Sequence, residues 1–242
     1  MGMKQILVMM AVVVLVGCSK DMPETSQAAE AEPQVASKPT PEPTPEPTPE
    51  PTPVLPPEEK IISISNPIVE QAIRRRLKKP EGELTEADLE NVTALELYDT
   101  RITDADLKDL AKLQKLDRLW LFGTQITDVG LKDVAKLQKL IGLGLKDAKI
   151  TDAGLKEVAK LQKLERLWLF GTQITDVGLK DVAKLQKLTH LDLRRTKITD
   201  EGLKEVAKWQ QLERLSLEIT QVTEAGVGKL QTALPNCEIT GP

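Results

Sequence analysis

His190 is the only imidazole in the chain, and Cys18 and Cys237 are its only thiols. That inventory bounds the chemistry. No serine or cysteine nucleophile is arranged beside His190, so acyl transfer by nucleophile, base and orienting acid has no candidate set. One imidazole and two distant thiols do not make a zinc site. The column Asp104, Asp128, Asp152, Asp176 and Asp200, spaced 24 residues apart, could be taken for a metal ladder. Each of these aspartates opens the same helical pattern, so helix capping explains the column better than cation binding. The chain reads as a non-enzyme, with no catalytic residue, metal ligand or cofactor expected.

A second pattern points to recognition. Arg118-Leu119-Trp120-Leu121-Phe122 returns as Arg166-Leu167-Trp168-Leu169-Phe170. Alternation puts the leucines on one face of an extended strand and arginine, tryptophan and phenylalanine on the other. Three outward columns follow across six equivalent segments. The first is Ala94, Arg118, Gly142, Arg166, His190 and Arg214. The second is Glu96, Trp120, Gly144, Trp168, Asp192 and Ser216. The third is Tyr98, Phe122, Lys146, Phe170, Arg194 and Glu218. Five of the six aromatics are thus predicted to sit exposed on one face. Hiding them would need a one-residue slip that also exposes Leu119 and Leu121. Trp120 and Trp168 flank the strand that carries Gly142 and Gly144. At about 4.8 Å between strands, the rings are expected roughly 10 Å apart over a glycine floor, as a slot with aromatic walls and arginine at its edge. The candidate ligand contacts are Tyr98, Arg118, Trp120, Phe122, Gly142, Gly144, Arg166, Trp168, Phe170, His190, Asp192 and Arg194. The sixth aromatic, Trp209, replaces Leu185 of the preceding segment in an inward column and reads as structural.

An internal repeat positions these residues. Ile102, Ile126, Ile150, Ile174, Ile198 and Val222 are each 24 residues apart, in a unit LxxLxLxxTxITDxGLKxVAKLQK. The copies Leu116–Lys139 and Leu164–Lys187 differ only at Asp117 against Glu165. Each unit predicts one strand and one short helix, with Leu131, Val134 and Leu137 at helical spacing and Thr127 or Asp128 as its cap. One unit cannot close a core, but stacked copies bury continuous aliphatic columns. The threonine column (Thr100, Thr124, Thr172, Thr196, Thr220) is expected to hydrogen-bond loop backbone between turns, with Ala148 breaking it. Pro67 to Lys79 reads as an amphipathic helix, and its cluster Arg74, Arg75, Arg76, Lys78 and Lys79 as solvated cap surface. Lys132, Lys136 and Lys139 read as a solvated helical face paired with acids. Leu234 to Ile239 reads as a truncated last strand, with Cys237 at a leucine position and therefore a buried, unreactive thiol.

This unit resembles the 24-residue, ribonuclease-inhibitor-like leucine-rich repeat of many bacterial proteins. The resemblance covers about 92–240, and the stretch Lys79 to Leu89 resembles the cap of internalin-like repeat proteins. It implies an α/β, right-handed leucine-rich-repeat solenoid with a parallel concave sheet, short convex helices and an N-terminal helical cap over 61–91. It also implies a monomer that binds a protein or peptide through the concave face. Carbohydrate or cell-wall glycan binding at Trp120 and Trp168 is an alternative, and a passive structural spacer another.

The N-terminus reads as an address. Ile6 to Val16 are eleven consecutive apolar residues after Lys4, too short to span a bilayer and apt for a signal peptide over 1–17. Leu15-Val16-Gly17-Cys18 resembles the lipobox of bacterial lipoproteins, which implies acylation of Cys18 and stable membrane anchoring. Ser19 after the cysteine favours the outer membrane of a bacterial cell envelope, with periplasmic and surface sides both open. Residues 18–60 then form a disordered Pro/Thr/Glu linker. Twelve of the sixteen prolines fall between Pro23 and Pro57. The run Pro39 to Pro53 favours polyproline II and would span roughly 45 Å. The linker carries three lysines against nine acids, while 61–242 is nearly neutral. A neutral domain lacks the basic excess of a nucleic-acid binder.

Overall fold

A computed structural model describes residues 60–242. The expected signal peptide, the acylation site Cys18 and the tether up to residue 59 lie outside the described residues. The described chain opens with a helical cap. Asn66 starts helix α1 (Pro67–Leu77), its Oδ1 accepting from the amides of Ile68 and Val69. Pro67 sits at the first helical position, where no amide donor is needed. The helix ends two residues before the predicted Lys79, because Lys78 turns left-handed and its amide closes on Arg75. Helix α2 (Glu86–Glu90) begins with a capping box between Thr85 and Asp88.

Strand and helix then alternate as the period requires. The order is β1 (Ala94–Glu96), α3 (Leu107–Leu110), β2 (Arg118–Trp120), α4 (Leu131–Val134), β3 (Gly142–Gly144) and α5 (Asp152–Val158). It continues through β4 (Arg166–Trp168), α6 (Asp176–Val182), β5 (His190–Asp192), α7 (Asp200–Val206), β6 (Arg214–Ser216), α8 (Glu224–Ala233) and β7 (Glu238–Thr240). The seven strands form one parallel sheet in sequence order. Register never slips: Leu119 faces Leu143, which faces Leu167. The ladder runs past the three-residue strands, with Leu121 donating to Gly144 at 2.8 Å and Gly123 to Lys146 at 2.9 Å.

Aliphatic columns fill the space between sheet and helices. Leu95, Leu119, Leu143, Leu167, Leu191 and Leu215 are all buried, as are the isoleucines from Ile102 to Ile198. Trp209 is fully buried in the column otherwise held by Leu113, Leu137, Leu161 and Leu185. Cys237 is also buried, and burial, then Glu238, push its thiol up to about 11. A thiol held neutral is a poor nucleophile.

Two columns act differently from their predicted roles. The aspartates do not cap their own helices. Thr151, Thr175, Thr199 and Thr223 do that. Each aspartate instead reaches one repeat onward: Asp128 Oδ1 accepts from the Thr151 amide at 2.8 Å and Oδ2 from its hydroxyl at 2.6 Å. The same pair of bonds joins Asp104 to Thr127, Asp152 to Thr175, Asp176 to Thr199 and Asp200 to Thr223. Thr103 has no such aspartate before it and is held by Asp106 within its own repeat. The threonine column also works within a repeat, not between turns: Thr124 Oγ1 donates to Leu121 O at 2.8 Å, and Thr172 likewise to Leu169 O. Lys139 departs from its predicted helical face. It lies in the turn before β3, and the like charges of Lys115 and Lys163 beside it lower its pKa. Lys136 does pair with Asp133, at 2.6 Å.

One residue per repeat turns the chain out of the sheet in a left-handed conformation: Asp99, Gly123, Asp147, Gly171, Arg195 and Ile219. Ile219, with φ 60°, is the β-branched member, where that region is least tolerated, and its side chain is 73% exposed. Little burial offsets the strain. Ile219→Gly is therefore expected to stabilise the domain by about 1 kcal/mol. Thermal unfolding should show a rise of roughly 2–4 °C, and an unchanged or lower midpoint would count against strain at this turn.

Candidate functional site

The sheet face opposite the helices carries the three outward columns in the expected register. Trp120, Phe122, Trp168 and Phe170 are half-buried and Tyr98 is 42% exposed. They are partly covered because they pack on one another. Tyr98 stacks on Phe122 with centroids 5.2 Å apart, and Phe122 lies 5.8 Å from Trp120. Trp120 meets Trp168 edge to face at 4.8 Å.

That last contact overturns the open slot. Both tryptophans lean over β3, which has no side chains on this face to hold them apart. A Cβ added at Gly144 would meet Phe122 and Trp120, with Trp120 Cε3 at 2.7 Å. Gly142 and Gly144 are buried beneath the rings as a platform, not the floor of a cleft. Closing the gap buries aromatic surface on both rings and gains an edge-to-face contact of about 0.5–1.5 kcal/mol. What remains open lies on the arginine side of the glycines. A depression of about 280 Å³ there is lined by Asp117, Arg118, Trp120, Ile141, Gly142, Glu165 and Arg166.

Arginine and lysine side chains border the ridge, with Asp117 and Glu165 among them. Arg118 is exposed and pairs with Asp117, at 3.3 Å. Arg166 and Lys146 are exposed and have no carboxylate partner among the described residues. Phe170 is ringed by cations, with Lys146 Nζ at 4.8 Å, Arg194 Cζ at 5.3 Å and Arg195 Cζ at 5.9 Å from its centroid. Asp192, a predicted contact, is buried and committed to Arg194 through bonds of 2.9 and 2.7 Å. That fork raises the Arg194 pKa. His190 bonds Thr189 Oγ1 through Nδ1 at 2.8 Å. Burial, then Arg166, push its imidazole below the ordinary value. The structure thus brings Tyr98, Phe122, Trp120 and Trp168 into one ridge, and places His190, Asp192 and Arg194 beside it.

Sequence reasoning missed Arg195. The doublet Arg194-Arg195 stands where the previous repeat has Phe170-Gly171. The replacement of the turn glycine by arginine was the available signal. The basic cap cluster also borders the face: Arg75, Arg76 and Lys78 line a depression of about 250 Å³ with Ala94 and Glu96.

Residues 160–183 and 184–207 match the family model described as leucine-rich repeat. The fold is a leucine-rich-repeat solenoid. Among solved structures, internalin C2 of Listeria monocytogenes superposes with a TM-score of 0.55 at 24% identity, over 72% of this chain and 81% of that one. An internalin from the same species, inlF, gives a TM-score of 0.56 at 23% identity, over 72% of this chain and 55% of that one. A leucine-rich repeat protein of Leptospira interrogans gives 0.52 at 28% identity, over 64% and 38%. Against the curated proteins the chain has no significant match. The open sheet face is the surface that solenoids generally use for binding.

Proposed function

We propose that this protein is a non-catalytic binding module of the bacterial cell envelope, acylated at Cys18, that recognises a protein or peptide through the open sheet face. The observation that carries this reading is the aromatic ridge. The aliphatic columns already complete the core, so Tyr98, Trp120, Phe122 and Trp168 are not needed to fill it. Aromatic and arginine side chains clustered on a surface are the usual anchors of an interface. The acyl chains and the proline-rich tether would hold this face away from the outer membrane. With Trp120 packed against Trp168, a sugar ring has no gap to enter between them, and the protein reading is the better supported one.

The full chain, crosslinked in intact cells, tests both halves. Trp120→Ala/Trp168→Ala should lower recovery of the partner at least tenfold without changing the circular dichroism, since interface anchors of this kind contribute about 2 kcal/mol or more each. Unchanged recovery would remove the ridge from the binding surface. Cys18→Ser should release the chain from membranes, and a mutant that stays membrane-bound would refute the anchor.

A further inference from the structure

The charge on either side of the aromatic ridge narrows the ligand. One subsite is the depression at Gly142, where Arg118 and Arg166 stand on β2 and β4, about 10 Å apart by strand spacing, with Asp117 and Glu165 at its rim. The second is the group around Phe170, where Lys146 and Arg195 bring charges that no carboxylate neutralises among the described residues. Arg194 in that group is already taken by Asp192, and also lies 3.9 Å from Glu218. The subsites lie in the first and third outward columns. Four residues of extended chain separate those columns, which is about 13 Å. Trp120 and Trp168 occupy the column between them.

Resting on the reading above, we infer that the partner presents an extended acidic segment of the form acid-x-apolar-x-acid. In an extended peptide, residues i, i+2 and i+4 project to the same side, and i to i+4 spans about 13 Å. One carboxylate then enters between Arg118 and Arg166, and the other meets Lys146 and Arg195. The apolar side chain between them rests on the tryptophan edges. The glycine platform matters here, because a side chain at position 142 would fill the depression that admits the first carboxylate. Asp117 and Glu165 at the rim repel further negative charge, so this end admits a single carboxylate held between the two guanidinium groups.

The test uses the full chain in detergent and two capped peptides, Glu-Ser-Leu-Ser-Glu and its Gln-Ser-Leu-Ser-Gln counterpart. Tryptophan fluorescence reports binding, since Trp209 is buried and gives a constant background. The glutamate peptide should bind at least tenfold more tightly, and its advantage should shrink as salt rises. Arg118→Gln/Arg166→Gln and Lys146→Gln/Arg195→Gln should each weaken it about tenfold or more, while leaving the glutamine peptide unaffected. Equal binding of the two peptides, or indifference to either pair of substitutions, overturns the inference. If that happens while Trp120→Ala/Trp168→Ala still abolishes partner capture, the acidic motif alone is wrong. If capture survives as well, the binding face itself is wrong.

Discussion

Trp209→Ala should lower the unfolding free energy by about 3–5 kcal/mol, the range for truncating a large buried aromatic. The indole is fully buried, and it is the largest side chain in the core. Four earlier repeats place leucine at the equivalent position, so the local backbone accepts an aliphatic residue there. Trp209→Leu should therefore cost clearly less than alanine. It leaves a smaller void, and it removes an indole N–H that is buried without a hydrogen-bond acceptor, a defect of about 1–3 kcal/mol. Because each repeat contacts only its neighbours, the damage should appear first in the C-terminal repeats. Hydrogen exchange should accelerate at the amides of α7, α8 and β7 before those of α4 and α5. A loss under about 1 kcal/mol for alanine, or uniform acceleration along the chain, would contradict the packing described.

The repeat period explains why so much of the fold could be read directly. Once Leu119 is assigned inward, the unbroken spacing assigns Leu143, Leu167, Leu191 and Leu215 as well, and the whole outward face follows. Periodicity constrains backbone positions and says nothing about rotamers. Trp120 and Trp168 are two strands apart in either arrangement. Whether they stand upright or lean together depends on what lies between, and glycine offers no resistance. The cation group at Phe170 was illegible for a related reason, since Arg195 reaches the ring from a turn outside the alternating columns. The aspartate column was misassigned because a residue that opens a helix is ambiguous in one dimension. Its carboxylate can turn to its own helix or along the stack. Repeat one held the clue: Asp106 stands where later repeats carry Gly130, Gly154, Gly178, Gly202 and Gly226, and no aspartate precedes it by one period.

That clue leads to a double-mutant cycle at the junction of the second and third repeats. Asp128→Ala removes the acceptor for both the amide and the hydroxyl of Thr151. Two bonds to one charged, half-buried group should make this loss about 2–4 kcal/mol. Gly154→Ala should cost about 1–3 kcal/mol by a different route. Its new methyl would collide with Asp128 Oδ1, and would also lie 2.9 Å from Leu131 Cδ1. If the glycine exists to clear space for the neighbouring carboxylate, the two losses cannot add. Alanine at 128 removes the atom that the methyl would strike, so the double variant should be more stable than the sum of the singles by about 1–2 kcal/mol. The contact with Leu131 persists and keeps the rescue partial. Acid should probe the same device at the last junction, where bonds from Thr223 lower the Asp200 pKa. A carboxylate favoured in the folded state contributes stability above its ordinary pKa, and loses that contribution as pH falls through the lowered one. Urea midpoints for the four members of the cycle decide the matter. Strict additivity would mean that Gly154 serves helix α5 alone, and that the clamp and the glycine column arose independently.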